Sequence, residues 1–244
     1  MPYRRLPTTD KARTRALEAA LERVAFKNGK VALSAKTIEE LQTVKSKFEN
    51  LLKHYEMNIK IQAEKNHEYK AAMDKARMYV SHFIQVLYLT SERGEINGGI
   101  KYYGLGEYDG KVPPLNSEEE ILHWGKIVVE GEQKRIQSGG SAIYNPSIAL
   151  VRIKVEAFKD TAIFQQNLKK NTTRTYNAMQ ELRKITNDFI SKMWSEIEEN
   201  IITDNPKIKR QVAQEYGIVY IFRRKEKRKL TDKELQRDLL FDFA

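Results

Sequence analysis

Apolar residues recur at helical spacing along most of the chain. Leu17, Ala20, Leu21, Val24 and Ala25 predict a short helix over residues 10–27. Thr8, Thr9 or Asp10 can cap its start, and Gly29 in "KNGK" stops it. Residues 35–93 follow as one long helix with no Gly or Pro inside. Thr37 and Glu40 match a capping box at its start. Spacings of four and three link Phe48, Leu52, Tyr55, Ile59, Gln62 and Asn66. The same seam continues through Tyr69, Met73, Ala76, Val80, Phe83 and Leu87. Gln62 and Asn66 make its middle polar.

Residues 94–116 form a Gly- and Tyr-rich connection with a strand expected at 100–105. Ser117 and Glu120 match a second capping box, and that helix ends at Gly139-Gly140. Asn145-Pro146 is expected to open another long helix, running to about residue 203. Asn205-Pro206 starts a short helix that ends at Gly217. Residues 218–222 read as a strand, rich in β-branched and aromatic side chains. Thr231 and Glu234 match a third capping box, so a capped helix is expected over 231–241.

The order of elements occurs twice. "YKAAMDKARMYVSHFI" at 69–84 aligns without gaps on "TYNAMQELRKITNDFI" at 175–190, and Tyr103-Gly104-Leu105 echoes Tyr216-Gly217-Ile218. The fold expected is therefore mostly α: an elongated helical bundle of two αα-hairpins related by internal duplication, with a small β-element. The chain reads as a single helical-bundle domain, 1–244. Its hairpin repeats cover about 8–105 and about 116–222, and antiparallel long helices leave a polar waist around 59–69 and 165–175. The strand segments 100–105 and 218–222 occupy matching places and are expected to pair with each other if the two helix ends meet.

Composition narrows the class without naming an activity. With 41% hydrophobic and 31% charged residues, 12 Gly and 6 Pro, the chain has the make-up of an ordered, helix-leaning protein. No cysteine is present, which excludes disulfides, thiolate metal sites and a cysteine nucleophile. The first residues lack the apolar core of a secretory signal, and no run approaches the ~18 apolar residues of a membrane span. A cytoplasmic location is the expectation.

The net charge of +10 is unevenly placed. Residues 1–30 carry +5, 31–206 are neutral, 207–229 carry +7 and 230–244 carry −2. A neutral body with basic ends differs from the continuous basic stripe of a protein that tracks nucleic acid along its length. Arg223, Arg224, Lys225, Lys227, Arg228 and Lys229 form the densest cluster. They are the candidate phosphate or partner contacts, together with Arg4 and Arg5. Arg13 and Arg15 would join them if the fold brings both ends together. The bland reading of the run is a solvated link between a strand and a helix.

Two Glu-x-x-His pairs, Glu64/His67 and Glu120/His123, have the spacing of ligands on one helix face and resemble di-iron carboxylate bundle sites in these residues alone. Such a site needs further glutamates at the same level. Here Glu120 reads as a capping residue, and the second repeat places Lys170 and Thr173 opposite Glu64 and His67. No phosphate-cradling glycine motif and no nucleophile–base arrangement occurs. Tyr102, Tyr103 and Tyr108 read first as structure and second as a binding surface. No catalytic residue, metal ligand or cofactor is assigned. The expectation is a non-enzymatic interaction or scaffold protein of helical-bundle type, with a protein partner or self-association. The alternative is a nucleic-acid- or ribosome-associated binder using the basic ends, and a metal-dependent bundle enzyme is a distant third.

Overall fold

The computed structural model describes residues 2–26, 31–96 and 99–222. It is a mostly helical protein of the bundle type. Five α-helices occur among the described residues: α1 Asp10–Ala25, α2 Ala35–Glu92, α3 Glu118–Gln137, α4 Ile148–Asn200 and α5 Pro206–Glu215. A two-stranded antiparallel sheet joins β1, Tyr3–Arg4, to β2, Tyr220–Ile221. The third capping box, Thr231 with Glu234, and Gly29 lie outside the described residues.

Helix starts follow the sequence where a side chain can reach the orphan amides. Thr9 caps α1 by accepting from the Ala12 N–H at 3.2 Å. Ser117 and Glu120 form a complete capping box at α3, and Asn205 with Pro206 opens α5. Two expected caps move. At α2 the cap is Ser34, whose carbonyl receives the Ile38 N–H and whose hydroxyl lies 3.3 Å from the Thr37 N–H. Thr37 donates its hydroxyl to Glu196 instead, at 2.5 Å. At α4 the chain makes a tight turn, with a bridge between Tyr144 and Ser147, before the helix begins. Ser147 rather than Asn145 then accepts the first amides, from Leu150 and Val151. α4 ends at Asn200, short of residue 203.

The expected strand at 100–105 is instead a 3₁₀ segment, Gly99–Tyr103. Gly99 and Gly104, at its two ends, adopt φ of +57° and +63°, the left-handed region that glycine reaches without strain. The turn drives Tyr103 inward onto α3. The partner of β2 is therefore the N-terminal arm, with Tyr3 opposite Ile221 and Arg4 opposite Tyr220.

The chain divides into two compact units, and the division falls inside both long helices. The first comprises Met1–Tyr55 with Thr175–Ala244, and the second Glu56–Arg174. In the first unit, Leu17 and Ala20 of α1 pack with Leu41 of α2 and with Ile190, Met193, Trp194 and Ile197 of α4. Ala213, Tyr216 and Ile218 close this core. In the second, Val80, Phe83 and Leu87 of α2 meet Ile121, Trp124 and Val128 of α3 and Val151, Val155 and Phe158 of α4. Full burial of a Val, Leu, Ile, Phe or Met side chain in such a core contributes roughly 1.5–3 kcal/mol of transfer free energy. The seam on α2 is buried at Phe48, Ala76, Val80, Phe83 and Leu87, but Ile59 is 43% exposed. In the polar stretch of the second unit, the buried Gln165 amide donates to Gln62 O and Asn66 Oδ1, both at 3.4 Å.

The internal anatomy of the two units corresponds closely. Positions 71–80 and 181–190 share the same sequence of buried, intermediate and exposed residues, and 41–48 and 151–158 differ at one position. Leu41 thus corresponds to Val151 and Phe48 to Phe158, a separation of 110 residues. The residue identities aligned the long helices at 106, four residues away. Burial along α1 and α3 also matches, at a separation of 108, with Ala16 and Leu17 opposite Trp124 and Gly125.

Close approach explains one glycine. A Cβ on Gly131 would lie 2.7 Å from the Tyr102 carbonyl oxygen and 2.6 Å from the Tyr103 ring. Backbone on one side and a buried ring on the other leave little room to relax. Gly131→Ala is expected to destabilise by about 1–3 kcal/mol despite alanine's better helix propensity. Chemical denaturation checks this; an unchanged or raised midpoint would show that α3 and the 3₁₀ segment separate at no cost.

Candidate functional site

The sheet places the two ends of the described chain side by side, within the first unit. Beyond the register pairs, the Arg5 N–H donates to Val219 O at 2.9 Å. Pro2 and Pro7 flank this arm, which favours an extended backbone over a helix. Arg4 donates to Ser195 Oγ at 3.1 Å and lies 3.4 Å from Glu198. Tyr220 donates its hydroxyl to the same Glu198 at 2.5 Å. Burial and this hydrogen bond push the Tyr220 phenol well above its ordinary range, so it stays a donor at neutral pH.

Arg4 is therefore partly committed to holding the arm. Arg5 and Arg15 are exposed, whereas Arg13 is buried. Arg13 donates to Asn187 Oδ1 and to Asp10 Oδ1, both at 2.9 Å. Asp10 also receives two hydrogen bonds from Arg183, at 2.8 and 2.5 Å. The Arg183 hydrogen bonds hold the Asp10 carboxyl below its usual range against the opposing effect of burial. Arg13 belongs to this structural network and not to a binding surface. Ser195, Glu198 and Asn187 were not singled out in the sequence; their partners stand 191, 194 and 174 positions away, and no local pattern could reveal them.

Arg223, Arg224, Lys225, Lys227, Arg228 and Lys229 lie outside the described residues. Their point of departure is described: Phe222 follows Ile221, which pairs with Tyr3. Lys209 and Arg210 are carried on α5, which packs on α1 in the same unit.

Other residues singled out in the sequence are occupied elsewhere. Glu120 Oε2 accepts from the amides of Asn116 and Ser117 at 2.7 and 2.9 Å. His123 is exposed and stacks edge-on against Trp124. Glu64 and His67 are exposed, and Glu64 lies 4.0 Å from Lys60. No group of three potential metal ligands occurs among the described residues. Of the three tyrosines, Tyr103 is fully buried and Tyr108 packs edge-on against Trp124 at 5.2 Å.

The fold and these contacts define a class: a helical-bundle protein with a small terminal sheet. No protein-family model matches the chain, and neither curated proteins nor solved structures give a match. No helix among the described residues is long and apolar enough to cross a membrane.

Proposed function

We propose that this is a non-enzymatic interaction protein that engages a macromolecular partner through its basic end. The observation that carries this reading is the β1–β2 pairing. It brings Arg4 and Arg5 alongside the strand from which the six-cation run departs. Arg5 and Arg15 of the first basic part of the sequence and Lys209 and Arg210 of the second lie in this one unit, while the sequence over 31–206 is neutral. Positive charge clustered in the sequence around a paired strand selects a polyanionic surface, and nucleic acid is the reading the charge favours.

The test is a titration of the full chain with labelled RNA and DNA over a range of salt. Binding is expected to weaken steeply with salt. Replacing Arg223, Arg224, Lys225, Lys227, Arg228 and Lys229 by Gln is expected to cut low-salt affinity by about a hundredfold or more and to flatten the salt slope, which scales with the phosphates neutralised. A flat titration of the wild-type chain at low salt would remove the nucleic-acid reading. A protein partner captured by both the wild type and the neutralised variant would move the contact to the helical surface.

A further inference from the structure

Each unit presents an exposed apolar surface between its long-helix segments, at corresponding positions. In the first unit this is a shallow groove floored by Val44, Ile185 and Phe189. Glu39, Glu40, Asp188 and Lys192 also line it. Ile185 remains 57% exposed there. In the second unit, Ile153 and Lys154 correspond to Thr43 and Val44, and Lys75, Met78, Tyr79 and His82 to Ile185, Asp188, Phe189 and Lys192. Met78 and Ile153 are 56% and 55% exposed. The Lys154 ammonium sits 5.9 Å from the centre of the Tyr79 ring.

The two surfaces carry opposite charge. The groove has three carboxylates and one ammonium; the other surface has two ammoniums and an imidazole. Neighbouring charges on the second surface cancel locally, as Arg77 pairs with Asp74 and Arg152 with Glu156. Near the groove, Lys45 pairs with Glu49 and Lys184 with Glu181. Thus an acidic apolar groove and a basic apolar surface occur on one chain, in matching places on matching frameworks. Opposed charge around exposed apolar centres is the complementarity that fixes partner choice at an interface.

We propose that the acidic groove of the first unit binds the basic surface of the second unit in another copy of this chain. Glu39, Glu40 and Asp188 then face Lys75 and Lys154, and Ile185 and Phe189 pack against Met78 and Ile153. The contact joins unlike surfaces, so it is heterologous in kind. It uses none of the basic-end residues, and its test uses protein freed of nucleic acid, so it stands or falls apart from the polyanion reading.

The experiment is sedimentation of the full chain at moderate salt across a wide concentration range. The wild type is expected to show a mass above the monomer that rises with concentration. One variant, Glu39→Lys/Glu40→Lys/Asp188→Lys, makes both surfaces basic; another, Lys75→Glu/Lys154→Glu, makes both acidic. All five residues are exposed or half-buried, and circular dichroism checks that each variant keeps its helices. Each variant alone is expected to lose association by about a hundredfold or more, since like charges face each other. An equimolar mixture of the two is expected to associate again, because only unlike variants present opposed surfaces. A wild type that stays monomeric, variants that associate as the wild type does, or a mixture that stays monomeric would each overturn the proposal.

Discussion

Replacing Arg135 by Met is expected to destabilise the protein by about 3–5 kcal/mol. Arg135 and Glu132 form an ion pair at 2.9 Å, and both side chains are wholly excluded from solvent. The pair is knitted into its surroundings: Tyr103 donates to Glu132, the Ile143 N–H donates to it at 3.0 Å, and Arg135 donates to Ser141 O at 2.7 Å. The network thus ties α3 to the 3₁₀ segment before it and to the loop after it. Burial alone would raise the Glu132 carboxyl, but hydrogen bonds from Arg135, Tyr103 and Ile143 outweigh it and leave the group below its ordinary range. Removing Arg135 takes away the largest of those offsets and strands a buried negative charge.

The sign of the pH dependence follows. In the wild type the lowered carboxyl adds stability that is present above the ordinary glutamate range and lost as pH falls through the folded value. In Arg135→Met the same carboxyl is raised, and its penalty grows as pH rises above the unfolded value. The gap between variant and wild type is therefore expected to narrow from pH 8 to pH 5. Urea denaturation at the two pH values measures it. A gap that is constant with pH, or below about 1 kcal/mol, would mean that solvent reaches the pair and the burial argument fails.

Trp194→Ala in the other unit is expected to cost about 3–5 kcal/mol through lost contacts and the cavity left behind. Trp194 is 1% exposed and sits among Met193, Ile197 and Tyr216. Trp194→Phe, which keeps a large ring in place, should lose a minority of that. Hydrogen exchange separates the two predictions. The Arg135 variant should lose protection chiefly within residues 56–174, and the Trp194 variant chiefly among the described residues of the first unit. Equal loss everywhere in both variants would show that the two cores do not open separately.

Much of the helical framework was legible in the residues. An amphipathic period without Gly or Pro specifies a helix wherever a buried face awaits it, and Ser117, Thr9 and Asn205 cap because their side chains reach the first free amides. Residue identity aligns the two halves at one separation and burial at another, one helical turn away. Positions four apart share a helix face, so the shared Ala, Met, Arg, Phe and Ile aligned at a separation of 106 keep the apolar stripe intact, although burial matches at 110. Ser34 and Ser147 outrank Thr37 and Asn145 as caps because Glu196 claims the Thr37 hydroxyl and a turn precedes Ser147. Neither influence is local.

The candidate site divides in the same way. Positive charge at both ends is a property of composition, and the sequence alone determined it. That β2 pairs with Tyr3–Arg4, and not with residues 100–105, was decided by tertiary structure, because strand pairing depends on which edge lies within reach. Glu132 and Arg135 stand three apart like the exposed pair Lys65 and Glu68, and nothing local distinguishes them. Helical period, capping chemistry and net charge are carried by neighbouring residues and survive in the sequence. Burial, the partners of ionised groups and the pairing of β1 with β2 depend on contacts between residues far apart, and those exist only once the chain has packed.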